Sequence, residues 1–187
     1  NDIPRAMWHI SRGESLEAAE VYRETSNLPE VCGRVCPQEK LCQGSCVVGK
    51  RDYPVFLGKL EYFVTDFERR TRGIPKPQLA PSTGKRIAVV GSGPAGLAVA
   101  EEMIKRGHAV TVFELLPVPG GVMVYGIPSF KLAKQVIADK VKFLEELGIE
   151  FKCNTTIGKD VTLDALLTQQ GYSAVFLGTG AWIPTKL

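Results

Sequence analysis

The last hundred or so residues alternate short apolar runs with amphipathic stretches. RIAVV (86–90) is a continuous apolar run of the kind that fills a buried parallel strand. AVTVFE (109–114), IEFKC (149–153) and SAVFLGTGA (173–181) predict further strands, the last running into a turn. Between them GPAGLAVAEEMIKRG (93–107) predicts a helix. AKQVIADKVKFLEEL (133–147) predicts a second, with apolar Val136, Ile137, Val141, Phe143, Leu144 and Leu147, and VTLDALLTQ (161–169) a short third. Strand–helix alternation of this kind predicts an α/β fold with a doubly wound, Rossmann-like parallel sheet. A Gly/Pro-rich stretch, LLPVPGGVMVYGIPSFKL (115–132), replaces one of the usual short connections.

Residues 1–72 carry a different pattern. SLEAAEVYRET (15–25) is rich in helix formers, with Ser15 as N-cap. Pro54 is expected to open another helix whose apolar stripe is Val55, Phe56, Leu57, Leu60, Tyr62, Phe63 and Phe67. That helix should end at Arg69-Arg70-Thr71-Arg72, read as a solvated terminus with favourable dipole contacts. GIPKPQLAPSTG (73–84), with three prolines and two glycines, can sustain neither helix nor central strand. The expected organisation is therefore a small all-helical domain (1–72), a linker (73–84) and a dinucleotide-type domain (85–187). No internal repeat or low-complexity tract interrupts it.

Composition narrows the function classes. The 187 residues hold 44% hydrophobic residues and 23 Lys+Arg against 20 Asp+Glu. This is too apolar and too balanced for a disordered chain. A net charge of +3 is too weak to make nucleic acid or an anionic membrane the main partner. No run reaches the roughly 18 apolar residues of a membrane span, and NDIPRAMWHISRGES has no export-signal pattern. A soluble, cytoplasmic protein is expected.

Gly91, Gly93 and Gly96 form a G-x-G-x-x-G array after a predicted strand, at the opening of a helix, with Glu114 closing the next strand. In that context the array signifies dinucleotide binding. Gly91 permits the tight turn, Gly93 lets a pyrophosphate approach the backbone, and Gly96 lets helix and strand pack closely. Pro94 costs little in the first turn, and the amides around Ala95 face the phosphate. Glu114 can accept from the adenosine ribose and repels a 2′-phosphate. FAD and NAD both satisfy this physics.

Four of the five cysteines fall in a C-x3-C-x5-C-x3-C array: Cys32, Cys36, Cys42 and Cys46. Without an export signal, a metal site is preferred to disulfides. Iron–sulfur, zinc and unliganded thiols all remain open on this spacing, and four cysteines would complete one cluster. Cys153 reads as a small buried strand residue. His9 and His108 have no nucleophile partner in any motif and read as structural; Trp182 reads as packing.

NLPEVCGRVCPQEKLCQGSCVVGK, LGKLEYFV, VVGSGPAGLAVA, PGGVMVYGIPSFKL and VFLGTGA together resemble one family of oxidoreductases. It includes the small subunit of NADPH-dependent glutamate synthase, ferredoxin:NADP oxidoreductase and sulfide dehydrogenase relatives, and the N-terminal region of dihydropyrimidine dehydrogenase. The resemblance covers essentially the whole chain. It implies FAD, two [4Fe–4S] clusters and NADPH, the nicotinamide site lying in a domain not represented here. It further implies that Cys36 and Cys42 serve one cluster and Cys46 the other. Glu61 stands where the family places a Gln or Glu ligand, and Cys32 where a cysteine usually does not ligate. Around FAD it implies Gly91, Gly93, Pro94, Ala95, Gly96 and the stretch from Glu114 through Gly120, Gly121 and Val122. It adds Lys131 near the phosphates, Ile157 against adenine through its backbone, and Thr179 and Gly180 in a second flavin turn.

The family's remaining cysteines lie upstream of Asn1, and its pyridine-nucleotide domain beyond Leu187. A truncated N-terminal fragment, inactive alone and with an incomplete set of cluster ligands, is expected. In the whole protein the implied partner is a glutamate synthase large subunit or a ferredoxin-type acceptor, in an oligomeric assembly. No side chain is assigned as a catalytic acid or base, because the cofactors carry the chemistry.

Overall fold

The computed structural model describes residues 1–181; the role expected of Trp182 lies outside them. The chain divides into two compact units, one of residues 1–75 with 130–132 and one of residues 76–129 with 133–187.

The first unit is helical: α1 (Ile3–Ser11), α2 (Ser15–Arg23), α3 (Pro29–Val35) and α4 (Leu57–Thr71), with single 3-10 turns at Gln38–Lys40 and Val48–Lys50. Asp2 caps α1 by accepting the Arg5 N–H at 3.1 Å. Ser15 is not the cap of α2 but its first helical residue. The Glu14 carbonyl already accepts from Ala18 at 3.1 Å, and the Glu14 side chain is held by His9 (2.8 Å) and Arg12 (2.9 Å). His9 is thus structural.

The apolar core of this unit is built from small residues. Ala6, Ala18, Ala19, Val21, Tyr22 and Val64 are buried, with Ile3, Met7 and Ile10 against them. Alanines let α1, α2 and α4 approach closely, and Gly33 does the same for α3. A Cβ at Gly33 would lie 2.6 Å from the Tyr62 backbone nitrogen.

The reading of α4 as an amphipathic helix with an aromatic core face is overturned. Pro54 does not open it; the helix starts at Leu57. Phe63 and Phe67 stack on each other at 6.3 Å but are 54% and 43% exposed. The buried residues are Gly58, Val64, Thr65, Asp66 and Glu68. The acids can be buried because arginines meet them. Glu68, with no exposed side chain, accepts from Arg23 at 2.5 Å and Arg72 at 2.7 Å, and the other end of Arg23 binds Glu30. Asp66 takes Arg34 (2.8 Å), Arg69 (3.0 Å) and Arg70 (2.7 Å). The basic run ending α4 is largely solvent-exposed, as expected of a helix terminus, but Arg69 and Arg72 also reach inward-facing acids. A hydrophobicity pattern cannot register burial that depends on charge pairing.

The second unit holds β1 (Arg86–Val90), α5 (Pro94–Lys105), β2 (Ala109–Phe113), α6 (Val122–Tyr125), α7 (Lys134–Glu146), β3 (Glu150–Lys152), α8 (Leu163–Thr168) and β4 (Ala174–Leu177). All strand pairs are parallel, in the order β3-β2-β1-β4. This is the α/β, Rossmann-like fold expected, with the order reversing direction at β1. Val90 lies level with Phe113 on one side and Leu177 on the other, so three strand ends stop together. One sheet face buries Ala88, Val90 and Phe113 under Leu166 and Tyr172. Leu97, Ala100 and Ile104 of α5 and Val136, Ile137 and Leu144 of α7 are also buried. Each of the Leu, Ile and Val side chains contributes about 1.5–3 kcal/mol. Lys140 of α7 pairs at 2.5 Å with Glu101 of α5, both nearly inaccessible.

The proline-rich stretch expected as a linker is not loose from residue 80 onward. Ala80 and Thr83 donate to the carbonyls of Lys105 and Gly107, both at 2.9 Å, and Thr83 Oγ1 meets His108 Nδ1 at 2.6 Å. His108 is accordingly structural. Proline lacks an N–H for helix or sheet, but its neighbours supply these bonds to the turn after α5. Cys153 falls one residue past β3 and is only half buried. Among the described residues no helix is long and apolar enough to cross a membrane.

Replacing Glu68 by Ala leaves Arg23 and Arg72 facing inward without their shared acid. Chemical denaturation should register a loss of about 3–5 kcal/mol. Glu20→Ala, which removes only the exposed partner of Arg72, should cost less than about 1 kcal/mol.

Candidate functional site: a glycine-lined crevice at the strand ends

The turn from β1 into α5 is possible only with glycine. Gly91 has φ +96°, and a Cβ there would lie 2.4 Å from the Gly178 carbonyl oxygen. A Cβ on Gly96 would sit 1.9 Å from the Gly91 oxygen. These two residues bring β1, α5 and the turn after β4 into contact. Gly93 differs: its φ is −64° and a Cβ there would meet nothing within 4 Å. Its side faces open space that no atom of the described residues fills. Pro94 opens α5 without an N–H to place, and the amides of Gly93, Ala95 and Gly96 meet no acceptor among the described residues. Open space before a glycine, flanked by unpaired amides at a long helix's positive end, suits a diphosphate. The residues present therefore fit the phosphates of a dinucleotide such as FAD.

Glu114, one residue past β2, is 4% exposed. Its Oε2 accepts the Ser92 N–H at 2.9 Å and the Ser92 hydroxyl, and its Oε1 accepts the Leu116 N–H at 2.9 Å. The Ser92 oxygen in turn accepts the Gly120 N–H at 2.8 Å. Sequence reasoning missed Ser92 because it occupies an unspecified position of the glycine array. Only the register of β1 against β2 brings it to the acid.

The other expected residues divide into three groups. Gly121 joins the crevice, since a Cβ there would lie 2.9 Å from Gly93 Cα. Thr179 and Gly180 follow β4 beside it and are exposed, as is Val122 at the start of α6. Gly120 does not open the backbone to a ligand. It is buried, and a Cβ would strike Val124 at 2.5 Å and Ile137 at 2.8 Å, so its smallness serves packing. Ile157 bridges to Val161 and packs on the core under the sheet. Lys131 is exposed and falls in the stretch grouped with the helical unit. The lysine that acts locally is Lys134, whose ammonium donates to the carbonyls of Met123 (2.9 Å) and Ile127 and so holds the turn containing α6.

In the helical unit, Cys36 is exposed and Cys32, Cys42 and Cys46 are half buried. Among the described residues no three His, Cys, Asp or Glu side chains gather as a metal ion would require. Two features nonetheless suit an iron–sulfur cluster. Glu61 Oε1 is buried without a hydrogen-bond partner, and burial, with the Glu30 charge, pushes its carboxyl up to about 7. Backbone donors at Val55, Gly49 and Val48 hold the Cys46 thiol below its ordinary value, favouring thiolate. Cys32 is the opposite: burial, then the neighbouring Cys36 and Glu61, push it up to about 11. Burial of this kind favours the neutral thiol. Burial and the charges of Glu114 and Glu145 likewise keep Cys153 protonated.

The geometry gives a helical, cysteine-bearing unit and a unit with a dinucleotide-type glycine crevice. Comparison with known proteins makes the assignment specific. Residues 1–73 match the family described as dihydropyrimidine dehydrogenase domain II, 4Fe-4S cluster, and residues 89–126 the NAD(P)-binding Rossmann-like domain. The glutamate synthase [NADPH] small chain of Escherichia coli K12 is 44% identical over 184 residues, 97% of this chain and 38% of that protein. The NAD-dependent dihydropyrimidine dehydrogenase subunit PreT of Escherichia coli O157:H7 is 40% identical over 169 residues, 89% of this chain and 41% of that one. Among solved structures, Mycobacterium tuberculosis FprA in complex with NADPH superposes with a TM-score of 0.50 at 28% identity, over 58% of this chain and 24% of FprA. The chain is similar to glutamate synthase small chains and to their oxidoreductase relatives. It spans well under half the length of each curated relative described.

The second and third glycines of the array separate cleanly by experiment. Gly93→Ala should leave stability within about 1 kcal/mol of the parent and weaken dinucleotide binding more than tenfold. Gly96→Ala should destabilise the fold itself, by about 1–3 kcal/mol, seen in thermal melts without any ligand. Glu61 gives a pH signature in cluster-free protein. Its folded pKa lies above the unfolded value, so the stability it contributes is full below about pH 4.5 and lost as pH rises through 7. Glu61→Gln should flatten that segment of the stability–pH curve.

Proposed function

We propose that this chain is the electron-relay part of an NADPH-dependent glutamate synthase small subunit, a cytoplasmic oxidoreductase that passes electrons from NADPH through FAD and iron–sulfur clusters to a partner subunit. The observation that carries the reading is the unfilled space before Gly93, between unpaired amides, with an inward-facing acid at the adjoining strand end. FAD, when bound, supplies the exchange between hydride and single-electron transfer. The chain's own residues bind and orient. Gly91, Gly93, Pro94, Ala95 and Gly96 hold the diphosphate, Glu114 the ribose, and Gly121, Val122, Thr179 and Gly180 the flanks of the flavin. Ile157 completes the flavin set through the adenine. Cys36, Cys42, Cys46 and Glu61 are the cluster ligands this chain contributes, and the remaining ligands come from elsewhere in the whole protein. The 73–84 stretch separates the two functional domains.

Two measurements test this. Full-length protein should be yellow, with flavin released on denaturation and iron and sulfide recovered together; zinc without sulfide would overturn the cluster assignment. Assayed with its large subunit, NADPH, 2-oxoglutarate and glutamine, it should form glutamate. Ferredoxin reduction without glutamate formation would instead assign it to the ferredoxin:NADP or sulfide oxidoreductases.

A further inference from the structure

We propose that Tyr22 is a positioning residue whose hydroxyl donates to the Glu61 carboxylate when Glu61 holds its iron–sulfur cluster, and so sets how readily that cluster takes an electron. The proposal rests on the cluster assignment above.

The inference starts from two buried polar atoms that lack partners. Tyr22, on α2, has no exposed surface, and its core neighbours are Ala6, Ala18, Ala19, Val21 and Val64. The ring suits that apolar core and the hydroxyl does not. Its oxygen is buried and meets no hydrogen-bond partner among the described residues. Glu61 Oε1, on α4, is in the same condition. A buried phenol ordinarily finds an acceptor, because an unpaired donor bears the full cost of leaving water. Phenylalanine would fill the same core without that cost, so packing alone does not account for a tyrosine here.

Position and chemistry bring the two atoms together. Glu61 and Val64 are three residues apart on α4 and so share a face. Val64 packs in the core with Tyr22. Burial, then the charges of Glu61 and Cys42, hold the Tyr22 phenol above its ordinary value, so it keeps its proton and can donate. A phenol O–H gives a hydrogen bond, and a carboxylate oxygen accepts one. An acid bound to iron through one oxygen leaves its second oxygen in want of a donor, and Tyr22 is a buried donor without another acceptor. A bond from the phenol draws electron density from the ligand. It therefore favours the reduced, more negative cluster, whose potential responds to charge and hydrogen bonding around it.

The test is an EPR-monitored redox titration of the full-length protein with its clusters. Tyr22→Phe should retain iron and sulfide. It should make one cluster about three- to tenfold harder to reduce, a potential lower by up to about 59 mV for one electron, and leave the second cluster unmoved. In a Glu61→Gln background an amide NH2, itself a donor, replaces the accepting oxygen, and there Tyr22→Phe should shift neither cluster. Where Tyr22→Phe fails to retain its clusters, 3-fluorotyrosine at position 22, a more acidic phenol of nearly the same shape, should instead raise that cluster's potential. An unchanged potential in Tyr22→Phe or with 3-fluorotyrosine, or a Tyr22→Phe shift of equal size in the Gln background, overturns the proposal while leaving the clusters in place. A parent protein with no iron–sulfur EPR signal on reduction overturns the underlying assignment and this one with it.

Discussion

The dinucleotide-binding unit depends on one steric constraint, the close approach of three backbones at Gly91. The carbonyl of Gly178 occupies the space a side chain would take at Gly91, and the carbonyl of Gly91 does the same at Gly96. Everything at the strand ends follows from this contact. It sets where α5 begins and directs its first amides outward. It also brings the turn after β4 alongside, and puts Ser92 within reach of Glu114. A crevice of this kind is made by removing side chains, and its shape is therefore a property of the main chain.

The centre of the parallel sheet was legible because β1 and β2 are buried along four of their five residues and read as unbroken apolar runs. RIAVV and AVTVFE matched β1 and β2 to within a residue. The glycine array was legible for a related reason: each glycine answers to a local steric need. Gly120 looked the same in sequence, yet its need is the packing of Val124 and Ile137. A glycine records that a side chain is forbidden and does not record what forbids it.

In the helical unit the sequence misled where charge replaced hydrophobicity. The aromatic stripe of α4 suggested a core face, whereas the core side is Val64, Thr65, Asp66 and Glu68. No period of apolar residues could reveal this, because the acids are acceptable inside only when Arg23, Arg34, Arg69 and Arg72 arrive from other turns and helices. The cysteines were readable as candidates from type and spacing. Their unequal character was not. What distinguishes Cys46 from Cys32 is backbone donors in one case and burial in the other.

From Arg34 to Leu57 no residue is fully buried, and the chain is shaped by two single 3-10 turns and scattered backbone bonds. The helices around it are held by a separate core and a separate ion network. The protein has thereby decoupled two kinds of selection. Replacing an exposed side chain of this loop removes nothing from that core or that network. Its surface can drift across evolution without passing through an unstable ancestor.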